Sequence, residues 1–283
     1  MRNKNLDSFI NRNATQKRPM YDDEVHNFHA TITSDMSNDP NHIINLFKIK
    51  IHKWLLSHKR ITFNGLEKFQ DRNICLGVTH QLDEVHLMNK NVVIFDGEYQ
   101  YHKRLFPNIT TRTIETLTTG DTLIISAPFT SYDFGIHPLM PDILSKCLEL
   151  KIPIHIDAAW YPCCRDINFN IDHPAIKTVT FSLSKAFGLG MHRIGLRYSR
   201  KPINGPIKIM NDFNYTNIAD VWIGLKFIEK FGTDFWWNKY ENCYNEIIQD
   251  CNNLKPSKAI HVALTADGKS VPTRQALLFL FNK

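Results

Sequence analysis

Between residues 74 and 182 five short apolar runs recur, most of them separated by polar stretches long enough for a helix. Runs 74–78, 91–95, 122–127, 152–157 and 178–182 read as buried strands, and 82–88 and 141–150 read as helices between them. Strands without a polar face must be covered on both sides. The pattern therefore predicts an α/β fold of three layers, a mainly parallel sheet with helices on both faces. Ligands of such sheets bind outside the carboxyl ends of the strands, so the polar residues that end these runs are the first place to look for chemistry.

The flanks carry less pattern. Residues 1–40 are polar and Asn-rich, and read as an irregular N-terminal arm. Segment 42–58 sets Ile43, Leu46, Phe47, Ile51, Trp54 and Leu55 mostly on one stripe of a helix. Residues 217–254 read as largely helical with a break near Gly232, and Phe235, Trp236, Trp237, Tyr240 and Tyr244 form a packing face there rather than a platform for bases. Runs 259–265 and 275–281 read as late strands around an Asp-Gly-Lys turn. The Lys-Pro-Ile-Asn-Gly-Pro stretch at 201–206 marks a boundary between a large domain, 41–203, and a reduced C-terminal α+β domain, 204–283.

Composition excludes several classes. Lys and Arg exceed Asp and Glu by only 34 to 28, and the excess is spread along the chain, so no nucleic-acid footprint is expected. No apolar run has membrane-spanning length, and the N-terminal stretch lacks the apolar segment of a secretory signal. The six cysteines form no CxxC pair, which points to reduced thiols in the cytoplasm. No HExxH, GxxxxGK or GxSxG motif occurs, so no metal, nucleotide-phosphate or hydrolase site is expected.

What remains is one constellation. IPIHIDAAWYP (152–162) is a buried strand ending in Asp157, and TVTFSLSKAFGLGMHRIG (178–195) is a strand running into Ser182, Ser184 and Lys185, then a glycine-containing loop and Arg193. Alone, Lys185 would be a surface lysine and Asp157 a capping residue. Together they make one site. A partly desolvated lysine can attack an aldehyde, hydroxyls and an arginine can hold a phosphate, and a buried carboxylate can keep a pyridine nitrogen protonated.

This spacing resembles the fold-type-I pyridoxal-phosphate enzymes, the aspartate-aminotransferase-like superfamily. The match departs at Met191, where the family usually has a small or polar residue. The resemblance implies pyridoxal 5'-phosphate as cofactor, Lys185 as the lysine that bonds its aldehyde, Asp157 as the pyridinium partner, and Ser182, Ser184 and Arg193 around the phosphate. It also implies that Ala159 packs beneath the ring, that Val78 and Thr79 after Gly77 meet the phosphate at a helix N-terminus, and that Tyr99, with Tyr101 second, stacks on the ring. For the phenolic oxygen of the cofactor the candidates are Thr130, Ser131, Trp160 and Tyr161, the last one place late. Arg274, at the start of the last strand-like run, is the candidate for a substrate carboxylate.

The activity implied is that of an aminotransferase-like enzyme with a small-molecule amino donor and keto acceptor, working as a homodimer. Alternatives are a decarboxylase, lyase or racemase using the same cofactor. Another is a non-catalytic relative that keeps the fold for binding or assembly. Cys163 and Cys164 invite a desulfurase reading, but they come directly after the Asp157 strand instead of lying on a loop near substrate.

Overall fold

The computed structural model describes residues 6–14, 18, 20, 22–33 and 39–282. Seven strands form the main sheet, in the spatial order Asp71–Cys75, Gly195–Ser199, Ile176–Ser182, Ile154–Asp157, Thr122–Ser126, Val92–Phe95 and Thr110–Arg112. Six of them point the same way. Gly195–Ser199 runs against both of its neighbours. Strands 91–95, 122–127, 152–157 and 178–182 lie where the alternation of the sequence puts them. The first strand does not: it starts earlier, at Asp71, and Val78 already belongs to the helix Val78–Met88.

Alternation along the strands feeds two apolar layers. Ile94 and Ile124 point toward Val78, Leu82 and Val85 of that helix. Leu123, Ile125, Ile154 and Ile156 join the larger core on the other face, where the helices Pro40–Leu56, Ile218–Lys230 and Phe235–Asp250 contribute Phe47, Phe227 and Tyr244. Each fully buried isoleucine contributes about 1.5–3 kcal/mol. The three-layer α/β architecture expected from the sequence is therefore the one observed.

Two polar ties fix the helix Val78–Met88 on the sheet. Gln81 donates to the Thr178 hydroxyl at 2.5 Å and accepts from that of Thr180. Glu84 forms a fully buried ion pair with Arg197 and accepts the Ile207 amide at 2.8 Å. A buried pair of this kind costs several kcal/mol when one partner is removed, so it holds the helix in one register.

Three expectations are corrected. Residues 274–281 form a helix, Arg274–Phe281, and no strand. A short run, apolar from Ala276 onward, carries no period that separates the two states. Here Ala276 and Leu277 bury, while Phe279 stacks on Phe9 at 4.5 Å and Phe281 meets Tyr240 at 4.9 Å. The supposedly irregular lead-in holds a helix, Asp23–Thr31, whose N-terminus is capped by Asp22 accepting the Val25 amide at 2.9 Å. The C-terminal β structure is a three-stranded antiparallel sheet of Leu254–Pro256, Val262–Thr265 and Ser270–Pro272. Among the described residues no helix is long and apolar enough to cross a membrane.

Candidate active site

Parallel register lines up the strand ends. Ser126 lies beside Asp157, Asp157 beside Thr180, and Ser182 beside Gly195. Beyond these ends opens a cleft of about 1460 Å³, lined among others by Thr79, Tyr99, Asp157, Lys185, Arg193 and Arg274. Residues more than 190 positions apart in the chain thus share one space.

Asp157 is the last residue of its strand and only 7% exposed. Burial pushes its carboxyl up to about 6, while the Ala159 amide, donating at 2.8 Å, and the Lys185 charge pull it down. At neutral pH it is a carboxylate. Lys185 sits on the short helix Leu183–Ala186, capped by Ser182, whose hydroxyl accepts the Ser184 amide at 3.1 Å. Burial holds the lysine below its ordinary value. The Asp157 charge opposes that shift, and Arg193 adds to it. Part of its population is accordingly a neutral, nucleophilic amine at a lower pH than for an exposed lysine.

Arg193 has left-handed backbone, φ 41°. Its guanidinium folds back over Gly77, donating to the Leu76 carbonyl at 3.0 Å and to the Thr79 hydroxyl. Gly77 has φ +73°, and a Cβ there would stand 2.9 Å from the arginine Nη2. Only glycine allows this closeness. The result is a guanidinium, a hydroxyl and the uncapped N-terminus of the helix Val78–Met88 facing one point, a donor set suited to a phosphate dianion.

Val78, Ala159, Ser182 and Ser184 also line the cleft, as do Tyr99, Tyr101, Thr130 and Ser131. Tyr99 and Tyr101 stack at 5.8 Å, and the Tyr101 hydroxyl donates to Asp83 at 2.5 Å. Tyr161 does not reach the cleft. Its hydroxyl donates to the Leu55 carbonyl at 3.2 Å and its ring packs against Phe63 and Phe181. Trp160 is the neighbour that faces the cleft, so the ring three residues after Asp157 carries no hydroxyl. Arg274 reaches the cleft from the first turn of a helix. Cys163 and Cys164 are fully buried, and burial pushes the Cys163 thiol up to about 12, which leaves no thiolate for desulfurase chemistry.

Glu98 is the cleft residue that sequence reasoning missed. It is 6% exposed, and its carboxyl accepts the Ser126 amide at 2.5 Å, the Ser126 hydroxyl at 2.6 Å and the Tyr99 amide at 3.0 Å. Burial pushes it up to about 7, against these hydrogen bonds, and the Asp157 charge adds to the rise. A carboxylate just past an apolar strand was the available signal. Because its folded value lies above the unfolded one, its contribution to stability is present below pH 4.5 and lost as pH rises through 7. The Glu98→Gln variant, whose NH2 must face the Ser126 or Tyr99 amide, starts from a lower baseline, but its stability relative to wild type should rise by about 3 kcal/mol between pH 5 and 8. Guanidinium unfolding midpoints across that range test this, and a difference that stays flat with pH would contradict it.

No family model matches the chain, and no curated protein does. Solved structures do match. Tyrosine aminotransferase from Leishmania infantum aligns at 11% identity over 94% of this chain and 90% of its own, with a TM-score of 0.61. The PLP-bound C-S lyase from Staphylococcus hominis aligns at 13% identity over 91% and 81%, with a TM-score of 0.58. A mutant aspartate aminotransferase from Thermus thermophilus aligns at 14% over 89% and 76%, with a TM-score of 0.59. At such identities the likeness is one of fold, and the chain has the aspartate-aminotransferase-like fold that its lysine motif resembled.

Proposed function

We propose that this protein is a pyridoxal-phosphate-dependent enzyme of the aminotransferase type, acting on an amino acid or other amine. The observation that carries the proposal is the convergence of Lys185, Asp157, Arg193 and Thr79 in one cleft at the strand ends of this fold. When bound, pyridoxal phosphate supplies an electron sink that stabilises negative charge on the substrate α-carbon.

The chain's own residues divide the remaining work. Arg193, Thr79 and the first amides of the helix Val78–Met88 hold the phosphate. The Asp157 carboxylate keeps a proton on the pyridine nitrogen. Lys185 would be the residue that carries the cofactor's aldehyde, and its lowered pKa would leave Nζ neutral at lower pH, free to take a proton from the substrate α-carbon and return one. Tyr99 covers the ring, and Arg274 grips a substrate carboxylate at the mouth of the cleft. A homodimer belongs to the same reading, as does a reducing compartment, which six free thiols suit.

Borohydride treatment of the purified chain with saturating pyridoxal phosphate should fix the cofactor on the peptide that contains Lys185, read by mass. A chain that fixes none refutes the proposal. Turnover that depends on an added keto acid marks the transferase, whereas release of a keto acid without an acceptor would favour a lyase.

A further inference from the structure

Trp160 is the least expected wall of the cleft. Its indole is 8% exposed, and the Lys185 Nζ lies 4.9 Å from the ring centroid. Phe134 meets the indole nearly edge-on at 4.7 Å, and His261 stacks on it at 5.0 Å with 20° between the planes. His261 comes from the C-terminal part of the chain. It is 1% exposed, and neither ring nitrogen has a hydrogen-bond partner among the described residues. Its backbone carbonyl accepts the amide of Thr273 at 3.0 Å, one residue before Arg274.

We propose that Trp160, steadied by the His261 stack, is a positioning residue that holds the Lys185 ammonium against an indole face. The inference rests on the reading of Lys185 as the cofactor-bonding lysine. A half-buried ammonium gains from compensation. Among the described residues, the groups facing it include Asp157 from its strand, the neutral Cys163 thiol, Arg193 from the loop after the lysine, and His261. Asp157 favours the charge and Arg193 opposes it. Burial and the Lys185 and Arg274 charges push His261 down to about 3, so it is a neutral ring that can stack without repelling the lysine. An indole is the strongest aromatic partner for a cation, and desolvation strengthens the contact.

The sign of one shift separates this role from simple space filling. If Trp160 only fills volume, Trp160→Leu admits water and the lysine titrates higher. If the indole stabilises the ammonium, the same change makes it titrate lower. The full chain, freed of bound aldehyde with hydroxylamine, is labelled with trinitrobenzenesulfonate across a pH series, and the Lys185 peptide is quantified by mass. The labelling midpoint is expected to fall by about half a pH unit or more in Trp160→Leu and by less in Trp160→Phe, which keeps a weaker π face. His261→Phe, which keeps a neutral stacked ring, should match wild type. A midpoint unchanged or raised in both Trp160 variants overturns the inference. The cofactor reading is judged separately, by borohydride fixation of pyridoxal phosphate on wild type.

Discussion

Lys185→Ala is expected to abolish fixation of pyridoxal phosphate by borohydride at this peptide and to remove turnover to background. Two functions are lost at once, the covalent hold and the proton carrier, and the second alone is worth about 10²–10⁴-fold. The fold should not suffer. Lys185 pays for burial with a lowered pKa, so below its folded value the native state carries a desolvated ammonium that the unfolded chain does not. Removing it relieves that cost, most at low pH and not at all once pH passes the ordinary lysine value of 10.5. Thermal unfolding of variant and wild type across pH measures this directly. A variant that still fixes the cofactor on the same peptide would show that Lys185 is not the attachment point.

Asp157→Asn should leave attachment intact and impair the proton transfers after it. The asparagine carbonyl can still accept the Ala159 amide, now held at 2.8 Å, so local geometry survives. The negative charge opposite the ring nitrogen does not. Turnover is expected to fall by about 10²–10⁴-fold, the range for losing a positioned proton-holding group. In wild type the carboxyl has been pushed up to about 6, so activity should decline as pH drops through that value, and the variant should lack this limb. Stability should move the other way. The raised value means a contribution present below pH 3.8 and lost as pH rises through 6, so the variant gains about 3 kcal/mol on wild type above pH 6. Retained activity with an unchanged acid limb would remove Asp157 from its proposed role.

The sheet and the centre of the site were readable because both obey short-range rules. Strands buried on two faces must be apolar throughout, and the residues that end them must be where ligands meet the sheet. Asp157, Ser182 and Lys185 come from that rule, and Arg193 from the loop that the lysine motif opens. Features decided by packing were less accessible. Arg274–Phe281 is apolar at six of eight positions, and packing, which includes its contacts with Phe9 and Tyr240, decides that it is a helix. Asp23–Thr31 has one fully buried apolar residue, Val25, too little to print a period. Which of Trp160 and Tyr161 turns toward the cleft depends on a 3-10 turn at Tyr161–Cys163 that points the tyrosine hydroxyl at Leu55. Glu98 sits in no motif, and its main hydrogen-bond partner, Ser126, lies 28 residues away in the chain.

The reversed strand Gly195–Ser199 has a consequence for how the molecule is made. Among the described residues Asp71–Cys75 has no other neighbour in the sheet, so Cys75 waits 120 residues for Gly195 to be synthesised. At about 5–20 residues per second that is an interval of roughly 6–24 seconds on the ribosome. Through that interval Gly77 and Thr79 have no guanidinium above them, because Arg193 arrives only two residues before Gly195. The cradle proposed for the phosphate is therefore completed by the same stretch of chain that closes the sheet. A nascent chain that stops between Lys185 and Arg193 has the lysine but lacks the arginine proposed to hold the phosphate.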